Sequence, residues 1–102
     1  MEWYHYFSAF WAGMFVANFV PHYVHGVGGN KFPTPWAKPG GIGLSSSMVN
    51  MLWGLFNLLA GCLLLWMGNV HFGNIWSLAT VFIGFTCMSL FAANHFQRKH
   101  KE

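Results

Sequence analysis

Imidazoles and carboxamides are the side chains of this sequence best placed to do chemistry, because its only carboxylates are Glu2 and Glu102 at the two ends. Pro21-His22-Tyr23-Val24-His25 sets two histidines at i and i+3, a helical spacing that can share a transition metal, and His95 is a candidate third ligand. The same residues suit a sharper arrangement. Bis-histidine ligation of a b-type haem needs two imidazoles at similar depth on facing helices, and His22 or His25 with His95 would supply them, with Gly54 admitting the flat macrocycle. Haem b and a transition metal are therefore the candidate cofactors, and anchoring of interfacial histidines to lipid headgroups is the plainer role.

A second constellation is polar but uncharged. At 100° per residue Asn50, Gly54, Asn57, Gly61 and Gly68 fall within about 60° of one another, and Leu52, Leu55, Leu59, Leu63 and Trp66 point the opposite way. Glycines permit close approach and asparagines hydrogen-bond across an interface without competing water, so this edge packs helices or lines a path for a solute. Asn18, Asn50 and Asn57 are the candidate solute-binding residues. Pro21 removes the N–H that would bond the Ala17 carbonyl and is expected to kink its helix, making it the candidate gate.

Other chemistry is disfavoured. Without an internal carboxylate one chain offers no carboxylate proton relay or cation-coupled site. Ser45–Ser47 lack a base and orienting acid, and Cys62 and Cys87 form no Cys-x-x-Cys motif, so the chain reads as a non-enzyme whose cysteines are small buried hydrophobes. Too few lysines and arginines are present to neutralise a run of phosphates, which argues against nucleic acid. Lys31 and Lys38, among the glycines and prolines of the long loop, could hold a lipid phosphate or another anion, or that loop could simply cover the bundle.

The elements that must position these residues follow from composition. The 102 residues are 55% hydrophobic and 20% aromatic but only 7% charged, where a soluble domain carries about a quarter charged. The expected fold is all-α: one polytopic membrane domain over 1–102, with spans at about 3–25, 48–67 and 74–96 and a Gly/Pro-rich loop at 26–47. Each stretch meets the roughly 20 residues needed to cross a bilayer. Ser45-Ser46-Ser47 offers hydroxyl caps for the second helix. The N-terminus lacks a basic region and a cleavage pattern, so the first stretch is expected to stay.

Three spans put Lys31, Lys38, Arg98, Lys99 and Lys101 on one face and no lysine or arginine on the other, which predicts N-out and C-in with the long loop cytoplasmic. Trp3, Tyr4, Tyr6, Trp66 and Trp76 would form one aromatic belt, and Tyr23 and Trp36 the other. On the first helix Ala9, Gly13 and Ala17 form a small ridge, with Asn18, His22 and His25 roughly opposite. On the third, Ser77, Thr80, Gly84, Cys87 and His95 form a small and polar face, leaving Ile75, Phe82, Phe85 and Phe96 for lipid. Such ridges on all three helices predict self-association or insertion into a larger membrane complex.

The size and three-span layout resemble those of bacterial half-transporters that assemble as dimers, and Phe19-Val20-Pro21 is loosely similar to their proline hinge. Their proline is typically followed by glutamine, where this chain has His22, and the loop here is much longer. The resemblance implies a multi-pass protein of a bacterial inner membrane. The leading expectation is a non-enzymatic, homo-oligomeric transporter or channel for a small solute or metal ion. The competing one is an accessory or anchor subunit of a membrane redox complex, with His22, His25 and His95 holding haem or lining a quinone pocket.

Overall fold

A computed structural model describes residues 2–98. Three helices dominate them: α1 Trp3–Val27, α2 Ser47–Met67 and α3 Ile75–His95, the last followed by a 3-10 turn at Phe96–Arg98. The cap residues explain where they begin. The Ser46 hydroxyl accepts from the Val49 N–H at 3.2 Å, and the Asn74 side chain accepts from the Trp76 N–H at 3.1 Å, each meeting an N–H that lacks an intrahelical partner. At the start of α1 the Glu2 N–H donates to His5 Nδ1 at 3.1 Å.

Two of these helices, α2 and α3, are long and apolar enough to cross a membrane. At 21 residues each they measure about 31 Å, matching a hydrocarbon core of about 30 Å. Only 22% of the apolar window of α2 and 11% of that of α3 is buried. Leu52, Leu55, Leu59 and Leu63 face outward on α2, as Ile75, Phe82, Leu90 and Phe91 do on α3. A continuous apolar surface of this kind marks a face for lipid or for another protein.

The less apolar α1 runs between the other two, which scarcely touch each other. Against α2 it is antiparallel: Gly68 lies by His5 and Ala9, Gly61 by Ala12 and Val16, Gly54 by Tyr23, and Gly26 by Met51. Against α3 it is parallel, Gly84 meeting the Phe10 backbone and Gly13 the backbones of Val81 and Phe85. A β-carbon at Gly84 would land on the Phe10 carbonyl, so the absence of a side chain sets the spacing of that pair.

These contacts revise three expectations. The small ridges expected to serve association pack within one chain, Thr80 and Cys87 of α3 excepted. Cys62 and Cys87 are free thiols on the outer surface and not buried hydrophobes, because each sits at the edge of its small-residue face and turns away from α1. Phe96, expected to face lipid, turns inward onto Phe32 with ring centroids 4.6 Å apart. Lys99 and Lys101 of the basic cluster lie outside the described residues.

Residues 28–46 form a strap that folds back over the ends of the helices. Its core is a two-residue antiparallel pair, Phe32–Pro33 with Leu44–Ser45. Phe32, Pro33 and Thr34 are buried. Gly41 takes φ +74° there, a conformation open to glycine at little steric cost.

Candidate functional site

The strap is held down by one side chain. Asn50, fully buried in the first turns of α2, donates through Nδ2 to the carbonyls of Phe32 at 2.8 Å, Ser45 at 3.2 Å and Ser46 at 3.0 Å. Its Oδ1 is 2.9 Å from His22 Nδ1 on α1. One carboxamide therefore ties α1, α2 and both strands of the strap, in a place where an unmet polar group is costly.

Above this knot the Phe32 ring wedges among aromatic groups. His25 stacks on it at 4.2 Å and 14°, while His22 meets it edge-on at 5.4 Å. Thr34 folds the outer half of the strap: its hydroxyl is 2.6 Å from the Ser45 hydroxyl and accepts from the Trp36 N–H at 3.2 Å. The Thr34 carbonyl accepts from the N–H groups of Ala37 at 3.1 Å and Gly41 at 2.8 Å. From α3, His95 Nε2 reaches the Gly41 carbonyl at 2.8 Å, so all three helices and the strap meet at one end of the molecule.

Beneath the strap lies a cavity of about 210 Å³, walled by Asn18 and His22 of α1, Trp53 of α2, and Met88, Phe91 and His95 of α3, with Thr34 and Gly41 on the strap side. A second hollow of about 110 Å³ continues it toward Trp11 and Phe15 and shares Asn18, Trp53 and Met88 with it. At its floor Asn18 Nδ2 donates to Asn57 Oδ1 at 3.1 Å, and Asn57 Nδ2 donates to the Trp53 carbonyl at 2.7 Å. The Trp53 indole N–H is buried and has no hydrogen-bond partner among the described residues. A separate, open groove of about 570 Å³ at the α2–α3 turn is apolar apart from His71.

The candidate residues thus divide. Asn18, His22 and His95 come together around one cavity and Asn57 lines the smaller hollow beside it, whereas Asn50 is spent on the strap. Pro21 lies inside α1, which continues to Val27. Lys31 and Lys38 are both exposed on the strap. His25 packs on Phe32, and its buried Nδ1 has no partner.

The metal expectation for His22, His25 and His95 is not met by this geometry. Among the described residues no three His, Cys, Asp or Glu side chains are grouped to hold a metal ion. Asn50 holds one nitrogen of His22, Gly41 holds one of His95, and the Phe32 face takes the His25 ring. Haem also finds no seat. The Phe96 ring lies in edge contact with His22 at 6.0 Å and with His95 at 5.2 Å, and the cavity is smaller than the roughly 300–1,000 Å³ of sites for drug-sized ligands.

Phe32, Thr34, Trp53 and Met88 were not among the residues singled out by sequence. Phe32 carried a faint signal, as an aromatic at the head of Phe32-Pro33-Thr34-Pro35-Trp36 inside an otherwise polar, glycine-rich loop. Trp53 and Met88 carried none, being ordinary members of apolar helices. Comparison of the chain with family models, curated proteins and solved structures finds no match in any of the three.

Proposed function

We propose that this chain is a non-enzymatic membrane protein, crossing the bilayer three times with its N-terminus outside and its C-terminus inside, which binds a small neutral molecule in the cavity beneath the strap. The third span rests on α1, which is uncharged from Trp3 to Val27 and lies alongside α2 from His5 at one end to Gly26 at the other. The orientation rests on Lys31 and Lys38, both on the strap, and on the basic residues that follow α3 in the sequence.

The observation that carries the binding role is the cavity of about 210 Å³ itself, where Asn18, Thr34, His22 and His95 interrupt walls that are otherwise apolar. A mostly apolar cavity with a few convergent polar groups is the usual form of a small-molecule site. Asn18, held by Asn57, lies in its wall and the Asn50 knot keeps its cover in place. A single copy of the chain builds all of it.

Native mass spectrometry of the detergent-purified protein tests this. The wild-type chain should retain a non-covalent mass of a few hundred daltons or less, and Met88→Trp, which fills the space shared by the two hollows, should lose it. A wild-type spectrum showing only bare chains or their multiples would overturn the proposal. The imidazoles in the wall favour a second reading as well, an accessory subunit of a membrane redox complex that lines a quinone pocket.

A further inference from the structure

The strap that covers one end of the bundle also carries its charge. Lys31 and Lys38 lie on it, both exposed, and Arg98, Lys99 and Lys101 follow α3 in the sequence, against one carboxylate at Glu102. The opposite end, Glu2 and the turn 68–74, has no lysine or arginine. Neither strap lysine contributes its side chain to the hydrogen bonds that hold the strap, which leaves both ammonium groups for an outside partner.

Trp36 adds an apolar anchor between them in sequence. Its backbone is fixed, because its N–H donates to the Thr34 hydroxyl and the Thr34 carbonyl accepts from Ala37 and Gly41. Its ring, 67% exposed, stands edge-on to Trp53 with centroids 5.6 Å apart, and Trp53 stacks in turn on the exposed Phe56 at 5.5 Å and 12°. Trp53 lies six residues beyond the start of α2 at Ser47, about 9 Å along the helix. The strap therefore hangs down the flank of the bundle, and its outer ring reaches the level of the exposed Leu52 and Phe56. An indole suits the boundary between headgroups and hydrocarbon, and lysines near it extend to the phosphates.

We infer that the strap is a docking surface for anionic phospholipids of the surrounding bilayer, with their phosphates at Lys31 and Lys38 and an acyl chain along Trp36, Trp53 and Phe56. This rests on the reading of the chain as membrane-spanning. Charge selects the lipid, since ammonium groups at a membrane surface favour a net-negative headgroup over a zwitterionic one. A soluble acidic partner would meet the lysines and leave the indole on the flank of α2 unused. The surface is already ordered: Lys31 directly precedes the buried Phe32, and Lys38 sits in a turn closed by bonds from the Gly41 N–H to Thr34 and the Gly43 N–H to Pro39. Little freedom is lost when lipid docks on it.

Lipid retention tests this. The full chain is placed in nanodiscs of phosphatidylglycerol and phosphatidylcholine in equal parts, and the lipids it keeps on release are counted by native mass spectrometry, where their mass separates them from a smaller guest of the cavity. A lysine near an anionic surface is worth roughly fivefold, so phosphatidylglycerol should be enriched by on the order of tenfold and Lys31→Gln/Lys38→Gln should cut the enrichment by about fivefold or more. That variant touches no strap hydrogen bond and keeps the fold. Trp36→Gln should lower retention of both lipids alike. Equal retention of the two lipids by the wild type would overturn the proposal. So would enrichment that survives the lysine exchange and disappears in Arg98→Gln/Lys99→Gln/Lys101→Gln, because the lipid would then sit on the C-terminal segment. Inorganic phosphate retained from discs of phosphatidylcholine alone would replace the lipid surface with a free-anion site. These outcomes leave the membrane reading intact, whereas a chain that entered no nanodisc would overturn both.

Discussion

Replacing Asn50 by leucine should release the strap while leaving the helices standing. The substitution keeps the volume but strands the His22 Nδ1–H in a dry interior and removes the Nδ2 hydrogen bonds to the strap carbonyls of Phe32 and Ser45; the Ser46 carbonyl keeps the Asn50 backbone N–H at 3.0 Å. A buried group left unmet costs about 1–3 kcal/mol in the closed state, and it recovers water when the strap opens. At about 1.4 kcal/mol per factor of ten, the open population rises between roughly fivefold and a hundredfold. Trypsin reads this directly. Lys31–Phe32 is the one strap bond it can cut, because Lys38 precedes a proline. Under conditions where opening and closing are fast relative to cutting, the cleavage rate follows the open population. The appearance of fragment 1–31 would be timed by mass spectrometry, with far-ultraviolet circular dichroism confirming unchanged helix content. An increase of less than about fivefold would refute the assignment of Asn50 as the residue that holds the strap.

Two further perturbations address the bundle. Gly84→Ala places a methyl group on the Phe10 carbonyl, and should cost about 1–3 kcal/mol through overpacking, seen as a lower melting temperature in detergent, whereas Leu59→Ala on the outer face should leave it nearly unchanged. Cysteines placed at Asn30 and at Phe72 in a Cys62→Ala/Cys87→Ala background should react with a membrane-impermeant maleimide from opposite sides of sealed vesicles. Labelling of both from the same side would remove the three-span topology.

Much of this architecture was legible in the residues. Uncharged stretches ended by Ser46, Gly68 and Asn74 located the helices to within about two residues, because caps and charge-free length are local properties. The glycine and asparagine edge of α2 and its leucine edge were assigned to the correct sides for the same reason. What a helical wheel lacks is the identity of the neighbour. It could not tell that the buried edges of α2 and α3 both turn to α1, and it put Cys87, about 60° from Gly84, on the wrong side of a boundary. The cavity was half legible: Asn18, Asn57, His22 and His95 stood out as polar groups in apolar helices. Trp53 and Met88 did not, since their role depends on contacts between different helices, and the Phe32 wedge depends on a loop closing over residues far along the chain.

The central place of α1 governs how such a bundle can come together. α2 and α3 are joined by a short turn, and a hairpin of that kind would ordinarily zip up on entering lipid. Here its two arms have almost no interface of their own, since their glycines are cut to the shape of a third helix. In this arrangement α1 must therefore be in place before the later pair can close around it as jaws close on a bar. No stable sub-assembly of two helices on the hairpin side precedes the whole, so a lesion at either face of α1 undoes the strap, the cavity and the bundle in one step.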